Sequence, residues 1–93
     1  MIRGFRGRET GRVWSGHFSA RLPTEIQHVA RRKLRMINNA QSLADLRLPP
    51  GNALEALGGD RAGQHSIRIN DQWRVCFVWD DGDAREVEIV DYH

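Results

Sequence analysis

The stretch QHSIRINDQWRVCFVWDDGDAREVEIVDY, residues 64–92, alternates apolar and polar residues and is interrupted twice by turn-forming residues. Alternation with a period of two is typical of half-buried β-strands. It predicts three strands, at Gln64 to Ile69, Trp73 to Trp79 and Glu86 to Tyr92. Between the last two, Asp81-Gly82 is a strong hairpin signal, because glycine tolerates the positive φ of a tight turn, and Asn70-Asp71 is a weaker signal. The stretch therefore predicts an antiparallel meander.

The part of the chain that precedes the meander has a helical pattern. Five apolar residues fall at helical spacing and predict a helix over about 24–38: Ile26, Val29, Ala30, Leu34 and Ile37. Thr24 followed by Gln27 fits a capping box, and Pro23 as the first helical residue is a competing interpretation of the same start. The sequence also predicts a shorter helix at Glu9 to Trp14, and short strands at Ile2 to Phe5 and Ala53 to Leu57.

The order of these elements indicates the fold class. Helices early and strands late, without alternating βα units, predict an α+β fold in which helices cover one face of a mostly antiparallel sheet. The length suffices for one core, so we expect a single domain over residues 1–93. A lone cysteine, Cys76, gives that core neither a disulfide nor a zinc site. No apolar run is long enough for a membrane span or a signal peptide, so we expect a cytoplasmic protein that does not contact membranes.

The charges are unevenly distributed, although the formal net charge is only +2. Residues 1–35 contain eight arginines and Lys33 against two acidic residues, whereas residues 80–91 contain six acidic residues against Arg85. Arginine presents a planar donor fork that matches phosphate, so the basic half favours a polyanion or an acidic protein as partner. A solvated basic surface without a partner explains the charge counts equally well.

Alternation also separates the two faces of the predicted sheet. Along the middle strand the core side carries Trp73, Val75, Phe77 and Trp79. Arg74 points the other way, and the same rule places Arg68 beside it on an open face, together with Glu88 and Tyr92. Two arginines and a tyrosine suit a surface that binds phosphates and stacks bases. The alternative is that each arginine only pairs with a carboxylate such as Glu88.

The remaining chemistry-bearing residues form no metal or cofactor motif. The four histidines and Cys76 lack the spacing of zinc ligands, and the sequence contains neither a phosphate loop nor a nucleophile elbow. We therefore expect no metal and no nucleotide cofactor.

The run GDRAGQHSIRINDQWRVCFVW, Gly59 to Trp79, and the ending Asp91-Tyr92-His93 resemble the HigB family within the RelE/ParE toxin superfamily. The start, Met1 to Phe5, and the segment Leu46 to Asn52 also match the family pattern, so the resemblance covers nearly the whole chain. It implies the RelE-like fold, in which two N-terminal helices pack on a curved antiparallel sheet. The family consists of toxins from type II toxin–antitoxin pairs that bind the ribosome and cut mRNA at the decoding site, which inhibits translation. The implied partner is a HigA-like antitoxin with a helix-turn-helix domain, and operator DNA would be bound only through that antitoxin.

The resemblance further implies which residues act on RNA. Metal-independent cutting requires the 2′-hydroxyl to lose a proton, the phosphate to be stabilised by cations and the departing 5′-oxygen to receive a proton. Tyr92 and His93 are candidates for proton transfer or for stacking the target base, and Asp91 for a base or an orienting group. The cations expected at the phosphate are Arg74, Arg68 and Arg61.

Gly58 departs from the family pattern, which has a lysine immediately before Gly-Asp-Arg. The only lysine, Lys33, lies far away on the predicted helix. A cationic contribution at the phosphate is therefore missing or comes from Arg61, and attenuated cleavage is expected. A competing hypothesis is that Gly58-Gly59 adopts positive φ, in which case any side chain would strain the turn.

Three hypotheses about function follow. The first is a ribosome-dependent mRNA endonuclease. The second is a toxin that binds and poisons a target without cutting RNA, like the gyrase-directed ParE relatives. The third is a non-toxic or weakly active regulatory protein whose arginine surface serves only antitoxin or operator binding.

Overall fold

A four-stranded antiparallel sheet forms the centre of the structure, a computed structural model in which residues 1–92 are described. In sheet order the strands are β1 (Glu55–Ala56), β2 (Gln64–Arg68), β3 (Trp73–Asp80) and β4 (Asp83–Asp91). Neighbouring strands along the chain are neighbours in the sheet, and all three pairings are antiparallel. The predicted meander is therefore confirmed.

Two helices precede the sheet, α1 (Arg8–Trp14) and α2 (Thr24–Asn39), as the sequence predicts. Three short 3₁₀ turns lie between α2 and β2, at Leu43–Arg47, Pro50–Asn52 and Gly59–Arg61. Among residues 1–92, no helix has both the length and the apolar composition needed to cross a bilayer. The α+β class and the N-terminal position of the helices are thus confirmed.

The core lies between the helices and one face of the sheet. Its buried apolar side chains include Val13 of α1, Ile26, Ala30, Leu34 and Ile37 of α2, Ile67 of β2, Val75 and Phe77 of β3, and Val87 and Ile89 of β4. The predicted assignment of side chains to the two faces is confirmed by this list. The apolar stripe of α2 differs in one respect, because Val29 is only half-buried whereas Lys33 is buried within the stripe.

The start of α2 differs from both interpretations of the sequence. Pro23 precedes the helix in an extended conformation, φ −55° and ψ 133°, and is not its first residue. The side chain of Thr24 makes no capping hydrogen bond. Gln27 instead pairs with the backbone of Ser19, accepting from its N–H at 3.0 Å and donating to its carbonyl at 2.7 Å. The capping box is wrong because the preceding loop already occupies the glutamine amide.

Three predicted strand boundaries also change. The segment Ile2–Phe5 does not form a continuous strand but makes two isolated parallel bridges, to Ala84 and Val87 of β4. β1 begins at Glu55 because Ala53 adopts a left-handed conformation, φ 45° and ψ 53°. β4 begins at Asp83, before the predicted start at Glu86. Glu86 itself has φ 51°, and the β3–β4 register shifts beside it in a bulge that interrupts the alternation.

Both predicted turns are present at the ends of β3. Asp81 and Gly82 have φ values of 49° and 87°, as a two-residue hairpin with right-handed twist requires. At the other end, the side-chain oxygen of Asn70 accepts hydrogen bonds from the N–H groups of Gln72 and Trp73 at 2.9 and 2.8 Å. These turns fix the register that places the polar side chains described next.

Candidate functional site

The polar side chains of the meander gather on the sheet face opposite the helices. Arg68 lies directly across from Arg74, and Ser66 from Cys76, in the β2–β3 register. Cys76 in turn lies across from Glu88 in the β3–β4 register. We call this surface the site face and define it by these five residues together with Arg61, which pairs with Glu88, and Tyr92, which lies against Arg74. The prediction that Arg68 and Arg74 share a face is therefore confirmed.

Arg74 is at the centre of the site face and is only 7% exposed. Its Nη1 donates to Ser66 Oγ at 3.1 Å, and Nη1 and Nη2 donate to the carbonyl of Ala53 at 3.2 and 2.9 Å. Nη1 also lies 3.3 Å from Oε1 of Glu55. The expectation of an open surface at Arg74 is wrong, because the segment that leads into β1 covers the guanidinium.

Tyr92 stands beside Arg74 and remains accessible. The Cζ atom of Arg74 is 5.4 Å from the centroid of the Tyr92 ring, which is within the range of a cation–π contact. The Tyr92 N–H donates to the carbonyl of Gln72 at 2.7 Å, which holds the residue against the start of β3. Tyr92 is 44% exposed, so its ring has a surface free for a ligand.

The other two arginines flank this centre, each paired with a carboxylate. Arg61 leaves the turn Gly59–Arg61, donates to Gln64 Oε1 at 3.1 Å and forms an ion pair with Glu88 at 3.3 Å. Arg68 forms an ion pair with Asp71 at the exposed β2–β3 turn. The alternative hypothesis that Arg68 and Arg74 pair with carboxylates is therefore confirmed, but their partners are Asp71 and Glu55, and it is Arg61 that pairs with Glu88.

The structure does not bring the whole predicted C-terminal group together. Asp91 lies across from Trp73, whose side chain packs against the core, so Asp91 is on the helix side of the sheet while Tyr92 is on the site face. Its carboxylate accepts a hydrogen bond from Gln72 Nε2 at 2.9 Å. His93, the third residue of that group, lies outside the described residues.

Cys76 occupies the floor of the site face and is fully buried. Burial raises the pKa of its thiol above the ordinary value of 9.0; Glu88 and Glu55 add to the rise, and Arg61 and Arg74 oppose it. A thiol in this state is protonated at neutral pH and is a poor nucleophile. We therefore assign Cys76 a packing role on the site face.

Sequence reasoning missed Glu55 and the Ala53 carbonyl as parts of the site. Both lie in the segment that precedes β2, and Glu55 reaches the site because β1 pairs with β2 so that Glu55 lies across from Ser66. Alternation within Ala53 to Leu57 would have placed Glu55 on one face, but the residues between β1 and β2 leave the register open. Alternation therefore indicates the face of the sheet on which Glu55 lies, but it does not indicate that Glu55 contacts Arg74.

Comparisons with known proteins agree with this geometry. A family model described as the RelE-like toxin of the type II toxin–antitoxin system HigB matches residues 9–93. The chain is 46% identical to Toxin HigB-1 of Vibrio cholerae over 63 residues, which are 68% of this chain and 66% of that relative, just under two thirds of its length. It is 27% identical to Endoribonuclease HigB of Proteus vulgaris over 93 residues, which cover both chains completely.

Solved structures extend the agreement to the fold. YafQ from E. coli matches with a TM-score of 0.61 at 12% identity, over 98% of this chain and 93% of that one. A chain of the YoeB–YefM complex from Staphylococcus aureus matches with a TM-score of 0.62 at 15% identity, over 100% of this chain and 98% of that one. The arrangement of two helices on an antiparallel sheet is therefore shared with these proteins.

Proposed function

Because this chain belongs to the HigB family of RelE-like toxins from type II toxin–antitoxin systems, we propose that it is an endoribonuclease that cuts mRNA on the ribosome. Support comes from the Proteus vulgaris relative, which is named as an endoribonuclease and aligns over the whole chain. Support also comes from the chemistry of the site face, which suits RNA better than it suits a protein surface.

The observation that carries the proposal is the contact between Arg74 and Tyr92. The buried guanidinium of Arg74 is held by its hydrogen bonds and by Glu55, and it lies under an exposed aromatic ring. A nucleotide offers both of the matching groups, since its phosphate pairs with a guanidinium and its base stacks on an aromatic ring. We therefore assign the phosphate to Arg74 and the base to Tyr92.

The reaction uses the 2′-hydroxyl of the RNA and the cations of the protein, without a metal. The hydroxyl attacks the neighbouring phosphate, the bond to the 5′-oxygen breaks, and negative charge accumulates on the phosphate oxygens. Arg74 stabilises that charge from a preorganised position, while Arg61 and Arg68 bind the flanking phosphates. Both flanking arginines must exchange their carboxylate partners for phosphates when RNA binds.

The proton transfers are assigned by position. Glu55 contacts Arg74 at 3.3 Å and is half exposed, so its carboxylate is placed to accept the proton of the 2′-hydroxyl. His93 directly follows Tyr92 and is the group we assign to protonating the 5′-oxygen. Asp91 acts as an orienting residue, because its bond to Gln72 holds the end of β4 from which Tyr92 and His93 follow.

The partners follow from the same assignment. A family of type II systems implies an antitoxin, and we propose a HigA-like protein whose helix-turn-helix domain alone contacts operator DNA. The ribosome orients the mRNA for attack, which a small enzyme with few proton-transfer groups cannot do alone. The site of action is the cytoplasm, where translated mRNA is found.

The experiment is to map mRNA 5′ ends after brief induction of the chain in growing cells. New 5′ ends within translated codons are expected for the parent, and their loss is expected for Arg74→Ala and Tyr92→Ala. Arg85→Ala is the matched control, because Arg85 is an exposed arginine on the β3–β4 hairpin whose one ion pair among residues 1–92 is with Asp80. Growth arrest without new 5′ ends, accompanied by loss of DNA supercoiling, would refute the proposal and favour a ParE-like poison.

A further inference from the structure

Asn52 ties α2 to the segment that covers the site, and it is fully buried. Its side-chain oxygen accepts a hydrogen bond from Lys33 Nζ of α2 at 2.6 Å. Its side-chain nitrogen donates to the carbonyls of Leu46 and Leu48, each at 3.2 Å. One amide therefore holds three points of the protein together, with both donors and its acceptor satisfied.

The residue after Asn52 supplies the backbone acceptor of Arg74. Ala53 has φ 45° and ψ 53°, a conformation that non-glycine residues adopt rarely, and its N–H donates to the carbonyl of Pro50 at 3.0 Å. Its carbonyl accepts from Nη1 and Nη2 of Arg74. The side chain of Ala53 is exposed, so this residue acts through its backbone.

The orientation of the guanidinium determines which of its donors face a ligand. A guanidinium has five N–H groups in a fixed plane. Within residues 1–92, the acceptors of Nη1 are Ala53 and Ser66, with Glu55 at 3.3 Å, and Nη2 donates to Ala53, so that Nε–H and one Nη2–H have no protein acceptor and form the edge that we assign to a phosphate. A shift of the Ala53 carbonyl would rotate that free edge.

We propose that Asn52 is a positioning residue for Arg74, which it orients through the carbonyl of Ala53, with Lys33 as the anchor on α2. The inference rests on the proposed function, since it assigns a task to a residue that does not touch RNA. It also explains why the only lysine of the chain lies inside an apolar stripe, where burial, followed by the charge of Arg32, lowers its pKa below the ordinary value of 10.5. An apolar residue at 33 would fill the stripe at less cost but could not fix the amide.

Two variants separate positioning from stability. Asn52→Asp keeps an acceptor for Lys33 but removes the donor to Leu46 and Leu48, and Ala53→Val places a β-branched residue at positive φ while its side chain stays in solvent. Single-turnover cleavage on programmed ribosomes should fall on the order of 10- to 100-fold in each, with unchanged affinity for the ribosome. Val13→Ala, a core change in α1, is the control for a general loss of stability.

The decisive comparison repeats both variants in an Arg74→Lys background. If Asn52 acts through Arg74, then Asn52→Asp and Ala53→Val should lower cleavage little further in the Arg74→Lys background. The reason is that a lysine ammonium lacks the planar pair of Nη donors with which the arginine binds the Ala53 carbonyl. An equal fold-loss with and without Arg74→Lys would show that Asn52 is only structural and would overturn the proposal.

A readout without RNA keeps this inference distinct from the proposed function. In the parent, the Nη hydrogens of Arg74 should give slowly exchanging NMR signals, identified by their absence in Arg74→Lys. They should broaden or exchange rapidly in Asn52→Asp and Ala53→Val but not in Val13→Ala. If Asn52→Asp folds and its Arg74 signals are unchanged, the positioning role is overturned; if Asn52→Asp does not fold, the same outcome in Ala53→Val overturns it. This result holds even if the chain cuts no RNA.

Discussion

At the scale of single residues, each arginine of the site face combines a ligand-binding charge with a carboxylate that neutralises it. Arg74 is paired with Glu55, Arg61 with Glu88 and Arg68 with Asp71. A surface ion pair contributes little to stability, so under the proposed function phosphate would readily displace Glu88 from Arg61 and Asp71 from Arg68. Until then the pairs offset the charge of the arginines, which lowers the attraction of unrelated polyanions.

Cys76 provides a prediction at the same scale. Because burial raises the pKa of its thiol, the folded protein holds that proton more tightly than the unfolded chain does. The sign follows directly: the free energy of unfolding should fall as the pH rises above about 9, where the unfolded chain begins to release this proton. Urea unfolding between pH 7 and 11 measures the effect, and the difference between the parent and Cys76→Ala isolates it from the opposite contribution of Lys33.

A parallel alkylation experiment should agree. Iodoacetamide should leave Cys76 unmodified in the native protein and modify it in urea. Rapid modification of the native protein would contradict the assignment of Cys76 as a packed, protonated thiol.

At the scale of elements, the turn before β2 shows whether position 58, which carries a lysine in the family pattern, could hold a side chain. Gly58 is extended, with φ −120°, and a Cβ built there meets nothing within 4 Å. Gly59 has φ +57°, so the positive φ expected somewhere in this pair belongs to Gly59 alone. The backbone hypothesis is therefore wrong for Gly58, and position 58 is free to carry a side chain.

Gly58→Lys should consequently give a more active enzyme. The added cation lies on the turn that carries Arg61, and by the magnitude of comparable electrostatic contacts the rate of cleavage should rise about 10-fold. Single-turnover cleavage on programmed ribosomes is the measurement. Gly58→Ala is the matched control and should behave like the parent, whereas Gly59→Ala should lose about 1 kcal/mol of stability through strain. No gain from Gly58→Lys would mean that the arginines already supply the needed charge.

The elements themselves were predicted from the sequence to different extents. Periodicity located α2 and the three long strands, because burial of one face fixes a local pattern that the chain must show. It failed at β1 and at the start of β4, where Ala53 and Glu86 adopt positive φ without being glycine. Such conformations are imposed by contacts with distant residues, which leave no trace in the local pattern.

For the site, the same distinction holds. The face shared by Arg68, Arg74 and Tyr92 was predicted because it depends only on alternation, whereas the burial of Arg74 depends on a covering segment from elsewhere in the chain. Asp91 is the exception, because the same alternation places it on the face opposite that of Tyr92. Consecutive residues of a strand point to opposite faces, so Asp91 and Tyr92 could not both have faced the arginines.

At the scale of the whole molecule, the site face and the helix side differ in how far carboxylates neutralise their arginines. The arginines of the site face are paired, but six arginines on α1, α2 and their connection form no ion pair within residues 1–92: Arg8, Arg12, Arg21, Arg31, Arg32 and Arg35. An uncompensated basic side attracts polyanions in a salt-dependent way. The helix side is thus suited to binding a polyanion, and under the proposed function it would hold the enzyme on ribosomal RNA while the site face bound mRNA.

This arrangement predicts that cleavage requires the ribosome and weakens steeply with salt. Purified protein should leave free mRNA intact and cut the same mRNA on programmed ribosomes, with the rate falling as ionic strength rises. The double variant Arg32→Gln and Arg35→Gln should flatten this salt dependence without changing the single-turnover rate at saturating ribosome. Efficient degradation of free mRNA under the same conditions would contradict the prediction.

Because the segment Ile2–Phe5 forms its bridges with β4, this early part of the chain meets its partner only after the last described strand has been synthesised. β4 leaves the translating ribosome after every other described element, yet it supplies Val87 and Ile89 to the core and the only bridges that the segment makes within residues 1–92. Until β4 emerges, the helices can pack against only three of the four strands, and Arg74 has no Tyr92 above it. We therefore expect a nascent chain to lack cleavage activity until β4 emerges, which would delay the first cut until the sheet can form.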